Sequence, residues 1–311
     1  MRPHDDELLS SWLHRLACAN GVPPREFALC LGRESKMWSA RLDRAASSEL
    51  VALLERKTGV AAASIVALGL ERNGLMALRL PLRWRADPDE ATWLQFCPAC
   101  LSGGRVDPPF FRKAWTEASR ISCQRHDLML LDRCPACAAG VASFDQAGLF
   151  PQSLCAICGF DLSTAQARPV PLRVRRLERL INDLLDLERA GRRSPDGGVA
   201  VRIFRLAASA DHAAPIAFPH LSSARRFRLL DRLSRGLRPD AHAFDDPSDA
   251  RFWERMARVA TYCRGRRHGP VPRVPPRRGE ASTPGRDARP TLAEVLKSYG
   301  QVTASRRDAA R

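Results

Sequence analysis

A mainly α-helical fold is predicted, in four parts: a helix-turn-helix-like domain over residues 1–92, a tandem cysteine-rich module over 93–163, a basic helical domain over 164–263 and a Pro/Arg-rich flexible tail over 264–311. Three observations predict it. Apolar residues recur at helical spacing in separate stretches on both sides of the middle of the chain. Four pairs of metal-ligand residues, each separated by two residues, crowd into positions 97–158. Beyond residue 264, prolines interrupt every pattern while arginines accumulate.

The first stretch, DDELLSSWLHRLACA over residues 5–19, places Leu8, Leu9, Trp12, Leu13 and Leu16 on one helical face, with acids at its start. Gly21 and the pair Pro23 and Pro24 end it, and a second helix is expected over 25–31. Residues 48–70 read as a helix, a turn at Thr58, Gly59 and Val60, and another helix, the pattern of a helix-turn-helix. Such a unit either lies in a major groove or serves as a plain packing hairpin. A charge of only +1 over residues 1–92 favours packing.

Ten cysteines without a secretory leader call for something other than disulfides. Eight ligand-type residues form the pairs Cys97/Cys100, Cys123/His126, Cys134/Cys137 and Cys155/Cys158. Two intervening residues let one tight turn aim both side chains at a single ion, and two such knuckles complete the tetrahedron zinc prefers. Gly159 supplies a permissive backbone position after the last knuckle. Read in order, Cys97, Cys100, Cys123 and His126 make one zinc site and Cys134, Cys137, Cys155 and Cys158 a second, as two successive zinc ribbons with small β hairpins. The alternative is a cross-brace of the RING type, pairing the first knuckle with the third. Against it, seven residues separate His126 from Cys134, long enough for a Leu/Met-rich strand beneath two stacked ribbons. Eight protein donors leave no open coordination position, so both ions are expected to be structural. Cys18 and Cys30 sit in apolar helical context and are expected in the core, and Cys263 has no partner at ligand spacing. His4, His14, His212, His220, His242 and His268 are expected as surface or satisfied residues, and no catalytic constellation stands out.

After the module, residues 171–190 carry Leu177, Leu180, Ile181, Leu184 and Leu185 along one face, and 222–236 and 248–262 read as two Arg-rich helices. In the tail, only residues 291–299 could form a short helix on a partner. The formal charge of +16 is carried by the C-terminal half, with +7 over 164–263 and +8 over 264–311. Arginine supplies all but four of the basic residues. That asymmetry points to nucleic acid or an acidic protein. The longest weakly apolar stretch, residues 59–70, is far short of the ~20 residues that span a bilayer. The acidic start MRPHDDELL has no basic and apolar leader pattern, so a cytoplasmic protein is expected.

Several of these segments together resemble one family. DDELLSSWLHRLACANG at 5–21, W-x3-CPACL at 93–101, FFRKAW at 110–115, CQRHDLMLLDRCPAC at 123–137 and CAICG at 155–159 resemble the TniQ family, the target-selection proteins of transposons that include TnsD-type proteins. The resemblance covers roughly residues 5–160. It implies a non-enzymatic adaptor with a helix-turn-helix domain and tandem zinc ribbons, which marks a DNA target and recruits an AAA+ ATPase and, through it, a DDE transposase. Some relatives bind an RNA-guided CRISPR effector, often as dimers, and others read a DNA attachment site. A stand-alone zinc-containing DNA-binding regulator and a RING-like ubiquitin ligase are the competing readings.

Overall fold

A computed structural model describes residues 1–32, 37–70, 76–81, 90–91, 94–103, 108–146, 148–191, 198–208, 216–237 and 247–262. The expected tail with its short helix, together with Trp93, Cys263, His212, His242 and His268, lies outside the described residues.

Helix α1 (Leu9–Ala19) begins four residues later than its pattern suggests. Asp5, Asp6 and Glu7 precede it, so its first turn holds no acid. Glu7 is instead buried, bridges to Arg112 in extended conformation and takes the Arg15 guanidinium on both oxygens, at 2.7 and 2.6 Å. Leu9, Trp12, Leu13 and Leu16 of α1 pack with Ala28 of α2 (Pro24–Cys30), Leu42 of α3 (Ala40–Arg44), Leu50, Val51 and Leu54 of α4 (Ser48–Thr58) and Ile65 of α5 (Ala62–Ala67). Each fully buried aliphatic side chain there contributes roughly 1.5–3 kcal/mol. Ser47 caps α4 by accepting from Leu50 N–H, and Gly59 ends it at φ 68°, a left-handed conformation that glycine adopts without steric cost. Glu55 then accepts from Ala62 N–H at 2.8 Å and fixes the start of α5.

The opposite side of α1 is also covered, which its amphipathic pattern does not announce. Ser10, Ser11, His14 and Arg15 are all buried. Ser10 bonds Asp43 through both its amide (2.8 Å) and its hydroxyl (2.7 Å) and also contacts the Ser143 hydroxyl, while Ser11 donates to Gln152 at 2.8 Å and receives Phe111 N–H at 2.9 Å. These polar pairs tie α1 to the segment between the last two knuckles.

The cysteine-rich region has its own core, in which Phe96, Phe111, Trp115, Leu130, Val141 and Leu162 surround Cys97, Cys123, Cys134 and Cys155. Its only described helix besides short 3-10 turns is α6 (Pro98–Leu101), which starts within the first knuckle. The expected β hairpins are shorter than predicted. Three of the knuckles are each closed by a single antiparallel bridge, Ser122 with Met129, Arg133 with Gly140 and Leu154 with Asp161. The segment from Leu128 to Arg133 is extended, as its sequence suggested, and is bridged in turn to Pro169, Ser122, Phe96 and Gly140.

A third core joins α7 (Leu172–Arg189), α8 (Val199–Arg205), α9 (Ser223–Ser234) and α10 (Pro247–Tyr262), with α7 packed on α8, α9 and α10. A two-residue antiparallel pair, β1 (Ala207–Ala208) and β2 (Ile216–Ala217), sits between α8 and α9. Leu78, Leu80 and Ala91 from the N-terminal region and Ala118, Ile121 and Met129 from the cysteine-rich region complete this core, so all three regions share one compact unit, Met1–Tyr262. No helix among the described residues is long and apolar enough to cross a membrane.

Candidate metal centres

Three knuckles have one backbone design. In each, the first ligand's carbonyl accepts from the N–H four residues on: Cys123 from Asp127 (2.8 Å), Cys134 from Ala138 (2.9 Å) and Cys155 from Gly159 (2.9 Å). The first ligand's own N–H reaches the carbonyl five residues on, at Leu128, Ala139 and Phe160, each at 2.8 Å. Reversing the chain so tightly forces the residue after the second ligand into the left-handed region, and Asp127, Ala138 and Gly159 have φ of 57°, 59° and 72°. Only the last is a glycine, which is why the sequence revealed one such turn and hid two. The first knuckle differs, because Cys97 and Cys100 open the short helix α6.

The folded knuckles bring Cys97, Cys100, Cys123 and His126 into one group and Cys134, Cys137, Cys155 and Cys158 into another, with the donor atoms of each group all within 4.8 Å of one another. The first knuckle therefore stands with the second and the third with the fourth, which is the sequential order and not the cross-braced one. In the first group, His126 Nδ1 lies 3.5, 3.3 and 3.5 Å from the sulfurs of Cys97, Cys100 and Cys123, and Cys100 Sγ lies 3.6 Å from Cys123 Sγ. In the second, Cys134 Sγ to Cys158 Sγ is 3.6 Å and Cys137 Sγ to Cys155 Sγ is 3.7 Å. A tetrahedral ion with metal–sulfur bonds of about 2.3 Å sets its sulfurs about 3.8 Å apart. Both groups thus have the size of a four-coordinate metal site, and either could hold an ion.

Backbone amides support the sulfurs. Cys123 accepts N–H groups of Arg125 and His126, Cys134 those of Ala136 and Cys137, and Cys158 that of Phe160. Thiol donation from Cys100 and then Cys97, helped by those amides, holds Cys123 below the usual thiol range. In both groups the first ligand of each knuckle is buried in the surrounding core, while His126 and Cys158 face solvent.

Helix α7 buttresses the first group through residues that no ligand motif announces. Glu178, buried, accepts Ile121 N–H at 2.9 Å, Ser122 N–H at 3.1 Å and the Ser122 hydroxyl, immediately before Cys123. Burial raises its pKa, and these three donors oppose the rise. Asn182, one turn on, takes the Ser119 hydroxyl at 2.9 Å. Both lie on the same face as Val174, Leu177, Ile181 and Leu185, and that intrusion of polar residues into an apolar stripe was their only signal. A second network surrounds Arg226, which is fully buried and donates to Leu221 O (2.9 Å), Ala118 O (2.8 Å), Gln95 Oε1 (3.2 Å) and Ser223 Oγ (3.1 Å). Asp132, between the two groups, accepts Ser223 N–H at 2.8 Å and so caps α9 from a distance.

The other singled-out residues fall elsewhere. Cys30 is exposed and Cys18 half-buried, against the expectation that both are core: α2 turns Ala28 inward and leaves Leu29 and Cys30 outside. Burial lowers His14 to about 4 and raises Cys18 to about 11, so the pair, 3.8 Å apart, offers neither base nor thiolate near neutrality. His4 stacks on Phe110 with ring centroids 4.2 Å apart, and His220 is half-buried.

No curated protein matches the chain. Residues 1–130 match the family model of TniQ, a stretch that runs from the N-terminus through the whole of the first four-donor group and stops before the second. Through that region, the chain is similar to the TniQ family.

Proposed function

We propose that this protein is a non-enzymatic transposition adaptor, carrying two structural zinc ions, that helps choose a DNA target and recruits an AAA+ ATPase and transposase. The observation that supports it most is the coincidence of the TniQ match with a four-donor group that lies wholly inside it. Seven sulfurs and one imidazole are the donor types zinc prefers, and full protein ligation assigns the ions to holding the fold together. Helices α4 and α5 are the family's helix-turn-helix. Residues Ala62, Ala63, Ser64, Ile65, Val66 and Ala67 give α5 no charged or amide side chain to read base edges, which favours a protein partner on that surface.

The test is a pull-down of the tagged full chain from its host after nuclease treatment, with metal analysis of the purified protein. Two zinc ions per chain and recovery of an AAA+ ATPase are expected. A chain that binds one DNA sequence tightly and recovers no such partner would instead be the stand-alone regulator, a reading favoured by its Arg-rich helices. The ubiquitin-ligase reading loses its basis with the sequential grouping of the knuckles.

A further inference from the structure

Arginines are arranged on the C-terminal helices in stripes. Arg228 and Arg232 on α9 with Arg235 at its C-cap, and Arg251, Arg255 and Arg258 on α10, recur at i, i+4 and i+7, and all six are exposed. Seven residues of helix are about 10 Å long. The ends of the two stripes meet the start of α7 at an open groove of about 700 Å³, into which Arg173, Arg176, Arg235 and Arg258 project. Two carboxylates stand beside them. Asp231 pairs with Arg173 and Arg235 through its two oxygens, each at 2.7 Å, and Glu254 lines the wall. Asp231 therefore holds two guanidinium groups side by side, each with four further N–H donors, and because both guanidinium groups are exposed these donors are open to a second anion. Arg176 and Arg258 have no ion pair among the described residues. Thr261 adds a hydroxyl.

We propose that this groove, together with the two stripes leading from it, binds the phosphate backbone of a DNA strand. Four arginines against two carboxylates leave it positive. Its planar forks suit phosphate oxygens, and a 10 Å stripe covers the rise of about three nucleotides. The apolar side chains that line it, Ala257 and Ala260, are too short to form a pocket for a protein side chain. DNA is chosen over other polyanions because the adaptor reading, on which this inference rests, puts the chain at a target duplex. All of these residues lie beyond the stretch that matches the family.

The test compares the zinc-loaded full chain with Arg176→Gln/Arg258→Gln and with Arg56→Gln/Lys57→Gln, which removes the same charge from α4. Fluorescence anisotropy follows binding of a 30-base-pair random duplex between about 50 and 200 mM salt. Each lost phosphate contact should lower the log–log salt slope by about 0.9, so the groove variant should show a slope reduced by about 2. Its affinity loss across that salt range should be about tenfold smaller than that of the unmodified chain. The α4 variant should keep the original slope. Arg258→Glu, a single exposed change, should weaken binding further, and retained zinc and helical circular dichroism certify folding. Equal effects of groove and α4 variants, an unchanged slope in the groove variant, or loss of polyglutamate binding with DNA binding intact would each overturn the proposal. The slope is measured without partners. A reduced slope with no ATPase in the pull-down therefore upholds the groove and sinks the adaptor, and the reverse result does the opposite.

Discussion

The three matching knuckles allow a test in which two substitutions should act with opposite signs. Gly159 has φ 72°, and a Cβ placed there would meet no heavy atom within 4 Å, so Gly159→Ala carries a backbone cost alone. An L-residue held left-handed costs about 1–2 kcal/mol. The less flexible unfolded chain returns about 0.4–1 kcal/mol, which leaves a net loss of about 1 kcal/mol. Ala138, at φ 59° and exposed, occupies the equivalent turn of the same metal group, so Ala138→Gly should gain about the same amount. A knuckle closes around its ion, and the change should therefore appear as metal retention, about fivefold in either direction. The assay is zinc release from the loaded full chain against a graded chelator series. Gly159→Ala should lose its second zinc at about fivefold less chelator, and Ala138→Gly should need about fivefold more. Asp127→Gly should gain less, because it also gives up the ion pair of Asp127 with Arg175. Shifts of Gly159→Ala and Ala138→Gly in the same direction would refute the account of the turn.

Three further outcomes are expected. Cys97→Ser and Cys134→Ser should each retain one zinc per chain by elemental analysis, and two ions in either variant would remove that residue from its group. Arg226→Leu should cost about 3–5 kcal/mol in denaturant unfolding, since it takes the guanidinium donors from the buried carbonyls of Leu221 and Ala118 and leaves the Gln95 amide oxygen with only the Ser223 hydroxyl; Arg226→Lys should recover little, and a loss below about 1 kcal/mol would contradict the network. Burial raises the Asp43 carboxyl to about 6, against its bonds from Ser10, so the folded state holds an extra proton between about 3.8 and 6. The stability this gives is complete below about 3.8 and is lost as pH rises through about 6. Asp43→Asn should therefore gain on the unmodified chain from pH 5 to 7, in unfolding free energies measured at both, and a pH-independent difference would show that Asp43 does not titrate there.

The metal groups were legible because two-residue spacing is a local constraint that survives any packing. The long helices were legible too, since Leu177, Ile181 and Leu185 fall on one face whatever they meet. What the sequence withheld depends on distant partners. Cys30 looked like core because its neighbours are apolar, yet only the direction in which α2 faces decides its exposure. Nothing in the sequence sets Glu178, Asp132 and Arg226 apart from the other charges, and each is buried against a backbone group 57, 91 and 108 residues away in turn. The left-handed turns at Asp127 and Ala138 were invisible because neither residue is the glycine that marks such a turn after Cys158.

The stretch that matches TniQ ends at residue 130, and the hydrogen bonding does not. Met129 N–H is held by Arg168, Ala91 N–H by His220, and Ser10 and Ser11 of α1 by Ser143 and Gln152. A protein cut at that boundary would keep Asp43, Phe111 and Glu7 beside its first helix but would lose the Ser143 and Gln152 contacts and expose half of an extended segment to water. The part by which this chain is recognised is thus smaller than the compact unit that completes its hydrogen bonding, which runs through Tyr262.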